Sequence, residues 1–161
     1  MRLWPNFLAY VLSFAVIEIM WNNHHMLLRS LQFVDRTTFF LNLLLLGITA
    51  FIPFATAVMG TYPGLKPATV LYGLTLDAAA ITYNFILKYL IRRRAFLATV
   101  TDEMLSQTVF HYRVGLITYL SATAIAFVWP WVSFALYGAI AIYYLFPRGV
   151  DTTSGEETGS P

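Results

Sequence analysis

Residues 114–146 read VGLITYLSATAIAFVWPWVSFALYGAIAIYYLF, a run of 33 residues without a charged side chain. A helix rises about 1.5 Å per residue, and about 20 apolar residues cross the hydrocarbon core of a bilayer. The run is therefore too long for one span, and Trp129-Pro130-Trp131 lies at its middle. Because proline interrupts a helix and tryptophan favours the membrane interface, we expect two short helices, 114–129 and 131–146. One long kinked helix is the alternative.

The rest of the chain has the same apolar character. Residues 38–59 form a second uncharged run, and of all 161 residues 58% are hydrophobic and 11% charged. Soluble domains carry about 25% charged residues. With further spans at 5–21 and 67–90, the sequence predicts an all-α integral membrane protein, a bundle of five transmembrane helices within residues 1–147. Residues 148–161 are rich in Gly, Ser, Thr, Pro and acids and predict a disordered cytoplasmic tail.

Several local signals mark the ends of these helices. Asp35 is a candidate N-cap for the second helix, and the Tyr62-Pro63-Gly64 turn should end it. Pro53 should kink that helix near its outer end. The polar segment 95–113 is a candidate interfacial helix.

Basic residues lie mainly on one side of the predicted bundle. Short loops rich in Lys and Arg stay in the cytoplasm. The other side has only Arg2 and Lys66. We therefore expect a multi-pass protein of the cell membrane with its N-terminus outside and its C-terminus cytoplasmic. The eight basic residues on the cytoplasmic side are Arg29, Arg36, Lys88, Arg92, Arg93, Arg94, Arg113 and Arg148.

This orientation makes the beginning of the chain informative. A helix upstream of Met1 would explain simply how residue 1 comes to lie outside. A cleaved signal peptide is the alternative, but Glu18-Ile19-Met20-Trp21 is too bulky for a cleavage site. We expect the protein from native cells to exceed 18.3 kDa by roughly 3–6 kDa, about one span with its flanks. A degenerate gene remnant or a genuine short subunit would instead have the mass of the chain as it stands.

Polar residues within the spans are the candidates for function, because a charge at membrane depth usually faces a partner or a water-filled cavity. On the first helix, Glu18 shares a face with Asn22 and His25 and could line an ion path or lie at the wet interface. On the third, Asp77 and Asn84 share a face, where a buried structural bond is favoured over an ion pathway. Lys88 lies on the same face and should extend to the headgroups. Asn42 on the second helix should form an interhelical hydrogen bond.

Several function classes find no support in the sequence. The chain has no cysteine, which excludes disulfides and thiolate metal sites. His24 and His25 are adjacent and cannot easily bind one metal together, and no His-Glu-x-x-His, P-loop or Gly-x-Ser-x-Gly motif occurs. The Thr-Val-Gly-Tyr-Gly filter of ordinary potassium channels is also missing. We therefore expect neither an enzyme, a metal site nor a cofactor, and the net charge of +2 is too small to suggest nucleic acid.

A series of short motifs adds a family resemblance. They are Trp4-Pro5-Asn6-Phe7-Leu8-Ala9-Tyr10-Val11-Leu12-Ser13-Phe14, Trp21-Asn22-Asn23-His24-His25, Leu41-Asn42-Leu43-Leu44-Leu45-Leu46 with Phe51-Ile52-Pro53-Phe54, Tyr62-Pro63, Leu71-Tyr72-Gly73 and Ala126-Phe127-Val128-Trp129-Pro130. In this order and spacing, from Trp4 to Pro147, the chain resembles the prokaryotic branch of the transmembrane protein 175 family, the lysosomal-type potassium channels. The motifs match the second to sixth helices of that family.

The resemblance implies a six-helix unit that assembles as a tetramer around a central pore. The family's first helix lines the pore and carries an Arg-x-x-x-Phe-Ser-Asp motif and an apolar constriction. No position here matches that helix, so no selectivity-filter residue carries over. What carries over is a pore-supporting polar shell, Trp21 and His24, with His25 and Asn42 as further members. The implied partners are the lipid bilayer, further copies of the chain as a homo-oligomer and potassium as the permeating ion.

The sequence thus predicts a potassium-selective channel subunit, or an N-terminally truncated form of one, that transports potassium passively. Two alternatives remain open. One is a proton-coupled carrier that uses Glu18, Asp77 and the histidines. The other is a non-conducting accessory subunit that modifies the current of a partner.

Overall fold

The computed structural model describes residues 4–62 and 64–145, and all regular structure within them is helical. The predicted all-α fold with five helices is confirmed for these residues. The predicted tail, 148–161, lies outside the described residues. The five helices are α1 (Trp4–Arg29), α2 (Arg36–Thr61), α3 (Lys66–Arg93), α4 (Asp102–Ala126) and α5 (Pro130–Leu145).

Helix ends at the end of the bundle that holds the α1–α2 and α3–α4 linkers differ most from expectation. Helix α4 begins at Asp102, twelve residues before the expected start at 114. Thr101 is its N-cap and accepts a hydrogen bond from the Met104 amide, and Asp102 and Glu103 follow in the first turn. A cap and acids at this end stabilise a helix start. Helix α1 likewise continues to Arg29, because no proline or glycine interrupts it after the expected end at 21.

The Trp129-Pro130 junction separates two helices, as the sequence predicts. Helix α4 ends at Ala126, and the Trp129 amide donates to the Ile125 carbonyl at 2.8 Å. Pro130 is the first residue of α5. Proline suits this position because its missing N–H would have no partner in the helix. The alternative of one long kinked helix is wrong.

Two inter-helix linkers pair with each other at one end of the bundle. The Gln32 amide donates to the Ala95 carbonyl at 2.8 Å, and the Leu97 amide donates to the Ser30 carbonyl at 3.0 Å. Arg94 ends α3 in the left-handed conformation at φ 51°. These backbone bonds tie the α1–α2 linker to the α3–α4 linker.

Asp35 adds a side-chain connection to this pairing. As predicted, it is the N-cap of α2, and its Oδ1 accepts from the Thr38 amide at 2.8 Å and from the Thr38 hydroxyl at 2.7 Å. Its Oδ2 accepts from the Tyr89 hydroxyl and lies 3.7 Å from Arg93 Nε. One carboxylate thus joins the start of α2 to the end of α3.

We expect Asp35→Ala to lower the melting temperature of the purified protein by about a few degrees at neutral pH, because the cap and the link to α3 are both lost. The bonds from Tyr89 and then Thr38, with a smaller effect of Arg93, lower the pKa of Asp35 from 3.8 to about 2. A carboxyl group whose pKa is lower in the folded than in the unfolded state stabilises the fold at pH values above its unfolded-state pKa. This stabilisation is lost as the pH falls through the folded-state pKa. The difference in melting temperature between wild type and Asp35→Ala should therefore become smaller between pH 4 and pH 2.

Thermal melts in detergent at several pH values measure this difference. Glu103→Ala, which removes an exposed acid from the first turn of α4, is the control and should show a smaller change. A difference that stays constant down to pH 2 would contradict the role of the ionised Asp35.

Helix α3 is the centre of the bundle. It packs against α2, α4 and α5, and α1 packs against α2 and α5. Buried side chains form two clusters, one around Tyr72 and Tyr137 and the other around Tyr83 and Leu90. The second lies at the end of the bundle where the two linkers pair. α3 thus contributes a buried tyrosine to each cluster, Tyr72 to the first and Tyr83 to the second.

Helices α2 and α3 are long and apolar enough to cross a membrane, with mean hydropathies of 2.1 and 1.4 in their most apolar segments. Residues 130–142 of α5 form a shorter apolar stretch. Many large apolar side chains, Phe14, Phe85 and Ile117 among them, are exposed on the outside of the bundle. An apolar exterior of this kind fits a lipid environment.

Candidate functional site

Three members of the predicted polar shell, Trp21, His24 and His25, lie on two sides of α1, and Asn42 lies on α2. Trp21 is exposed and stacks on His25, with ring centroids 5.1 Å apart and planes within 8°. His24 points to α3, where its ring meets the edge of Tyr83 at 6.3 Å. The adjacent histidines therefore contact different partners, as their 100° separation on a helix requires.

Three buried polar atoms of this region lack a hydrogen bond among the described residues. They are His24 Nδ1, Asn42 Oδ1 and the Tyr83 hydroxyl. The Tyr83 ring lies against Tyr112 at 5.0 Å. Asn42 Oδ1 accepts no interhelical hydrogen bond within residues 4–62 and 64–145, so the bond predicted for Asn42 stays a prediction. Buried polar atoms without a partner are costly and uncommon in native proteins.

Glu18 and Asn22 occupy the outward side of α1, and both are exposed. They lie beside the exposed Phe14 and Trp21, on one continuous helix face. A carboxylate on the outside of an apolar bundle is unfavourable against lipid tails. This face is therefore suited to contact protein or water.

Asp77 belongs to a separate polar group in the interior. It is 4% exposed, and its Oδ1 has no hydrogen bond to the part of the chain that the structure describes. The Thr123 hydroxyl and the Tyr137 hydroxyl, close to Asp77, are 3.0 Å apart. Both hydroxyls lie against Gly73, one turn before Asp77, where a Cβ would lie 2.1 Å from the Tyr137 oxygen. The structure thus brings α3, α4 and α5 together around one small residue.

Sequence reasoning did not find Thr123, Tyr137 or Gly73 as members of this group. A signal was available, since small residues in transmembrane helices allow close backbone approach. Asn84, by contrast, makes the type of bond expected for such residues. Its Nδ2 donates to the Ala80 carbonyl at 2.9 Å and to the Tyr112 carbonyl on α4 at 3.2 Å. Lys88 is exposed on the same helix.

The arrangement offers polar contacts within a membrane bundle. Within residues 4–62 and 64–145, no three His, Asp or Glu side chains lie close enough to hold a metal ion. The chemistry that these residues can perform is hydrogen bonding to neighbouring helices and to polar solutes.

Comparisons with known proteins agree with one another. The family model described as the endosomal/lysosomal potassium channel TMEM175 matches residues 1–53. A potassium channel of Chamaesiphon minutus is 34% identical, over 89% of this chain and 73% of the relative. A potassium channel of Streptomyces collinus is also 34% identical, with 89% and 72% covered.

A solved structure extends the likeness to three dimensions. The crystal structure of a lysosomal potassium-selective channel TMEM175 homologue from Chamaesiphon minutus superimposes with a TM-score of 0.79 at 33% identity. The match covers 88% of this chain and 73% of that one. The resemblance read from the short motifs is thereby confirmed. This chain is an all-helical membrane protein that belongs to the TMEM175 family.

Proposed function

We propose that this protein is a subunit of a potassium-selective channel and carries potassium passively across a membrane. The observation that carries the proposal is the TM-score of 0.79, at 33% identity, to the structure of a potassium-selective channel. Relatives from two further organisms also bear the name potassium channel. The protein is on this view a transporter and not an enzyme.

The second part of the proposal concerns Trp21, His24, His25 and Asn42, which we assign to a polar shell that supports the pore. His24 Nδ1 and Asn42 Oδ1 are buried without a hydrogen bond among the described residues. His24 Nδ1 is suited to accept or donate, and Asn42 Oδ1 to accept, a hydrogen bond with a polar group of a further helix in the assembled channel. These residues would then hold the pore-lining element in place and would not bind the ion themselves.

The third part concerns assembly and orientation. A pore on a symmetry axis needs several subunits, and a homotetramer is the form we propose. The exposed face of α1 that carries Glu18 and Trp21 is suited to lie against protein. The excess of basic residues on one side, eight against two, supports an orientation with the paired linkers in the cytoplasm and the start of α1 outside. The cell membrane is the proposed location.

Potassium flux into liposomes tests the proposal directly. The protein is purified as its native cells make it, its intact mass is recorded, and it is reconstituted with potassium inside and sodium outside. We expect potassium efflux that rises with the gradient without saturation and exceeds the flux of sodium. Protein-free liposomes are the control. An absence of flux, together with an effect on the current of a co-expressed relative, would instead identify an accessory subunit.

Neutralising Glu18 or Asp77 separates a channel from a proton-coupled carrier. A carrier needs a carboxyl group that takes up and releases a proton, whereas passive conduction does not. We expect Glu18→Gln and Asp77→Asn each to keep potassium flux within about twofold of wild type. Glu18 is exposed on α1 and Asp77 is buried beside Gly73, so the two variants sample different environments. Saturable flux that either substitution abolishes would favour the carrier.

A further inference from the structure

The start of α2 and the end of α3 hold a group of arginines with little opposing charge. Arg36, Arg92 and Arg93 are exposed, and we call these three residues the α2–α3 arginine cluster. Within the described part of the chain, Asp35 is the one carboxylate within 4.0 Å of any of them, with its Oδ2 at 3.7 Å from Arg93 Nε. Three guanidiniums and one carboxylate leave this corner of the bundle with a net positive charge.

Asp35 has little remaining capacity to neutralise the cluster. Its Oδ1 accepts hydrogen bonds from the Thr38 amide and hydroxyl, and its Oδ2 accepts from the Tyr89 hydroxyl. The contact with Arg93 is longer than a hydrogen bond, and the Arg93 side chain remains 57% exposed. Exposed ion pairs of this kind are weak. The guanidiniums can therefore bind an anion that comes from outside the chain.

The position of Arg36 is fixed by an aromatic ring. Its guanidinium carbon lies 5.6 Å from the centre of the Phe40 ring, which is one turn further along α2. This contact holds the side chain along the outside of the helix. Arg92 and Arg93 occupy the last turn of α3, and the bond from Tyr89 to Asp35 joins the two helix ends. In the proposed orientation, the cluster lies at the level of the cytoplasmic headgroups.

Exposed apolar side chains continue from the cluster toward the middle of the membrane. Phe40 and Leu44 lie one and two turns beyond Arg36 on α2, and Phe85 lies two turns before Arg93 on α3. Because α2 starts at this end and α3 finishes there, all three lie on the membrane side of the cluster. A phospholipid of this leaflet has the same order, with its phosphate at the surface and its acyl chains toward the membrane centre.

We propose that the α2–α3 arginine cluster binds a phospholipid of this leaflet whose headgroup carries a net negative charge. The guanidiniums of Arg36 and Arg93 donate charge-assisted hydrogen bonds to the phosphate, and an acyl chain lies along Phe40 and Leu44. Basic residues at the cytoplasmic ends of transmembrane helices commonly bind anionic headgroups. The inference rests on the orientation proposed above, which makes this the inner leaflet, and does not depend on which ion the protein conducts.

Native mass spectrometry of the full chain in detergent tests the proposal. Phosphatidylglycerol and phosphatidylcholine are added separately in equal amounts, and the bound population is measured over a concentration series. We expect phosphatidylglycerol to bind about tenfold more tightly, because its headgroup has no cation to offset the phosphate. Arg36→Gln combined with Arg93→Gln should remove this preference. Arg29→Gln combined with Arg113→Gln, which removes the same charge from exposed positions on α1 and α4, should keep it.

Two further measurements separate a lipid site from other causes. The melting temperature without lipid should stay close to the wild-type value in both double variants, because the four side chains are exposed. Millimolar inorganic phosphate should not displace phosphatidylglycerol, because it has no acyl chain to contact Phe40 and Leu44. Equal binding of the two lipids to wild type would overturn the proposal. So would an equal loss of preference in both double variants, or displacement of the lipid by phosphate. Potassium flux is measured apart from lipid binding, so a failure of either proposal leaves the other testable.

Discussion

Replacing Gly73 with alanine is expected to destabilise the bundle by about 1–3 kcal/mol and to reduce the amount of folded protein sharply. The new Cβ would lie 2.1 Å from the Tyr137 hydroxyl oxygen and 2.5 Å from Thr123 Oγ1. Neither atom can move aside easily, because the two hydroxyls are bonded to each other and both side chains are buried. Either α3 must withdraw from α4 and α5, or the buried bond must break.

Gly47→Ala is the matched control for this prediction. Gly47 lies within α2, and a Cβ there would have no atom within 4 Å. Alanine favours a helix over glycine by about 1 kcal/mol, so this variant should be neutral or slightly more stable. Melting curves and the yield of monodisperse protein in detergent measure both changes. If the two glycine substitutions behaved alike, close packing at Gly73 would not be what holds α3 in place.

A double variant distinguishes the two contacts at Gly73. Tyr137→Phe removes the oxygen at 2.1 Å but leaves Thr123 Oγ1 at 2.5 Å. Combined with Gly73→Ala, it should restore part of the lost stability, which a double-mutant cycle detects as coupling. Effects that simply add would show that the Tyr137 hydroxyl does not cause the destabilisation.

The sequence predicted the architecture well where hydrophobicity and proline act locally. The uncharged runs and Trp129-Pro130 are sufficient for five helices, because membrane spans depend on length and polarity more than on distant contacts. The start of α4 was missed, since the polar segment 95–113 gave no apolar signal. Its signal was the cap Thr101, followed by two acids. The predicted start of α4 rested on hydropathy, whereas the N-cap Thr101 determines where the helix begins.

The candidate site was less predictable for a physical reason. Asp77 could be singled out from its residue type, as a carboxylate within a membrane span. Its neighbours could not be predicted, because Thr123 and Tyr137 are distant in sequence and come together only when α4 and α5 pack on α3. The same holds for Asn42, where the expected interhelical bond depends on which partner faces it. The polar shell was proposed from the family resemblance. The structure adds that two of its atoms, His24 Nδ1 and Asn42 Oδ1, are buried without a hydrogen bond among the described residues.

Tyr137→Ala should have the largest effect of these substitutions, a loss of about 3 kcal/mol in the free energy of unfolding. Large-to-small substitutions of buried aromatics cost about 3–5 kcal/mol in soluble proteins. The lower end applies in a membrane, because transfer of a ring between protein and lipid contributes little and the loss of packing remains. Tyr137 is 1% exposed, and its ring meets the edge of Tyr72 at 5.2 Å. Truncation would leave a cavity between α3 and α5.

Comparison with Tyr137→Phe separates packing from hydrogen bonding. Phenylalanine keeps the contact with Tyr72 and loses only the bond to Thr123, which is worth about 0.6 kcal/mol in a typical membrane bundle. Phe85→Ala is the control for removing an aromatic ring that is not buried, because Phe85 on α3 is 65% exposed. It should lower the free energy of unfolding by less than about 0.5 kcal/mol. Unfolding titrations in detergent give all three values. A loss for Tyr137→Phe equal to that for Tyr137→Ala would mean that the buried hydroxyl network, and not the ring, joins α5 to the bundle.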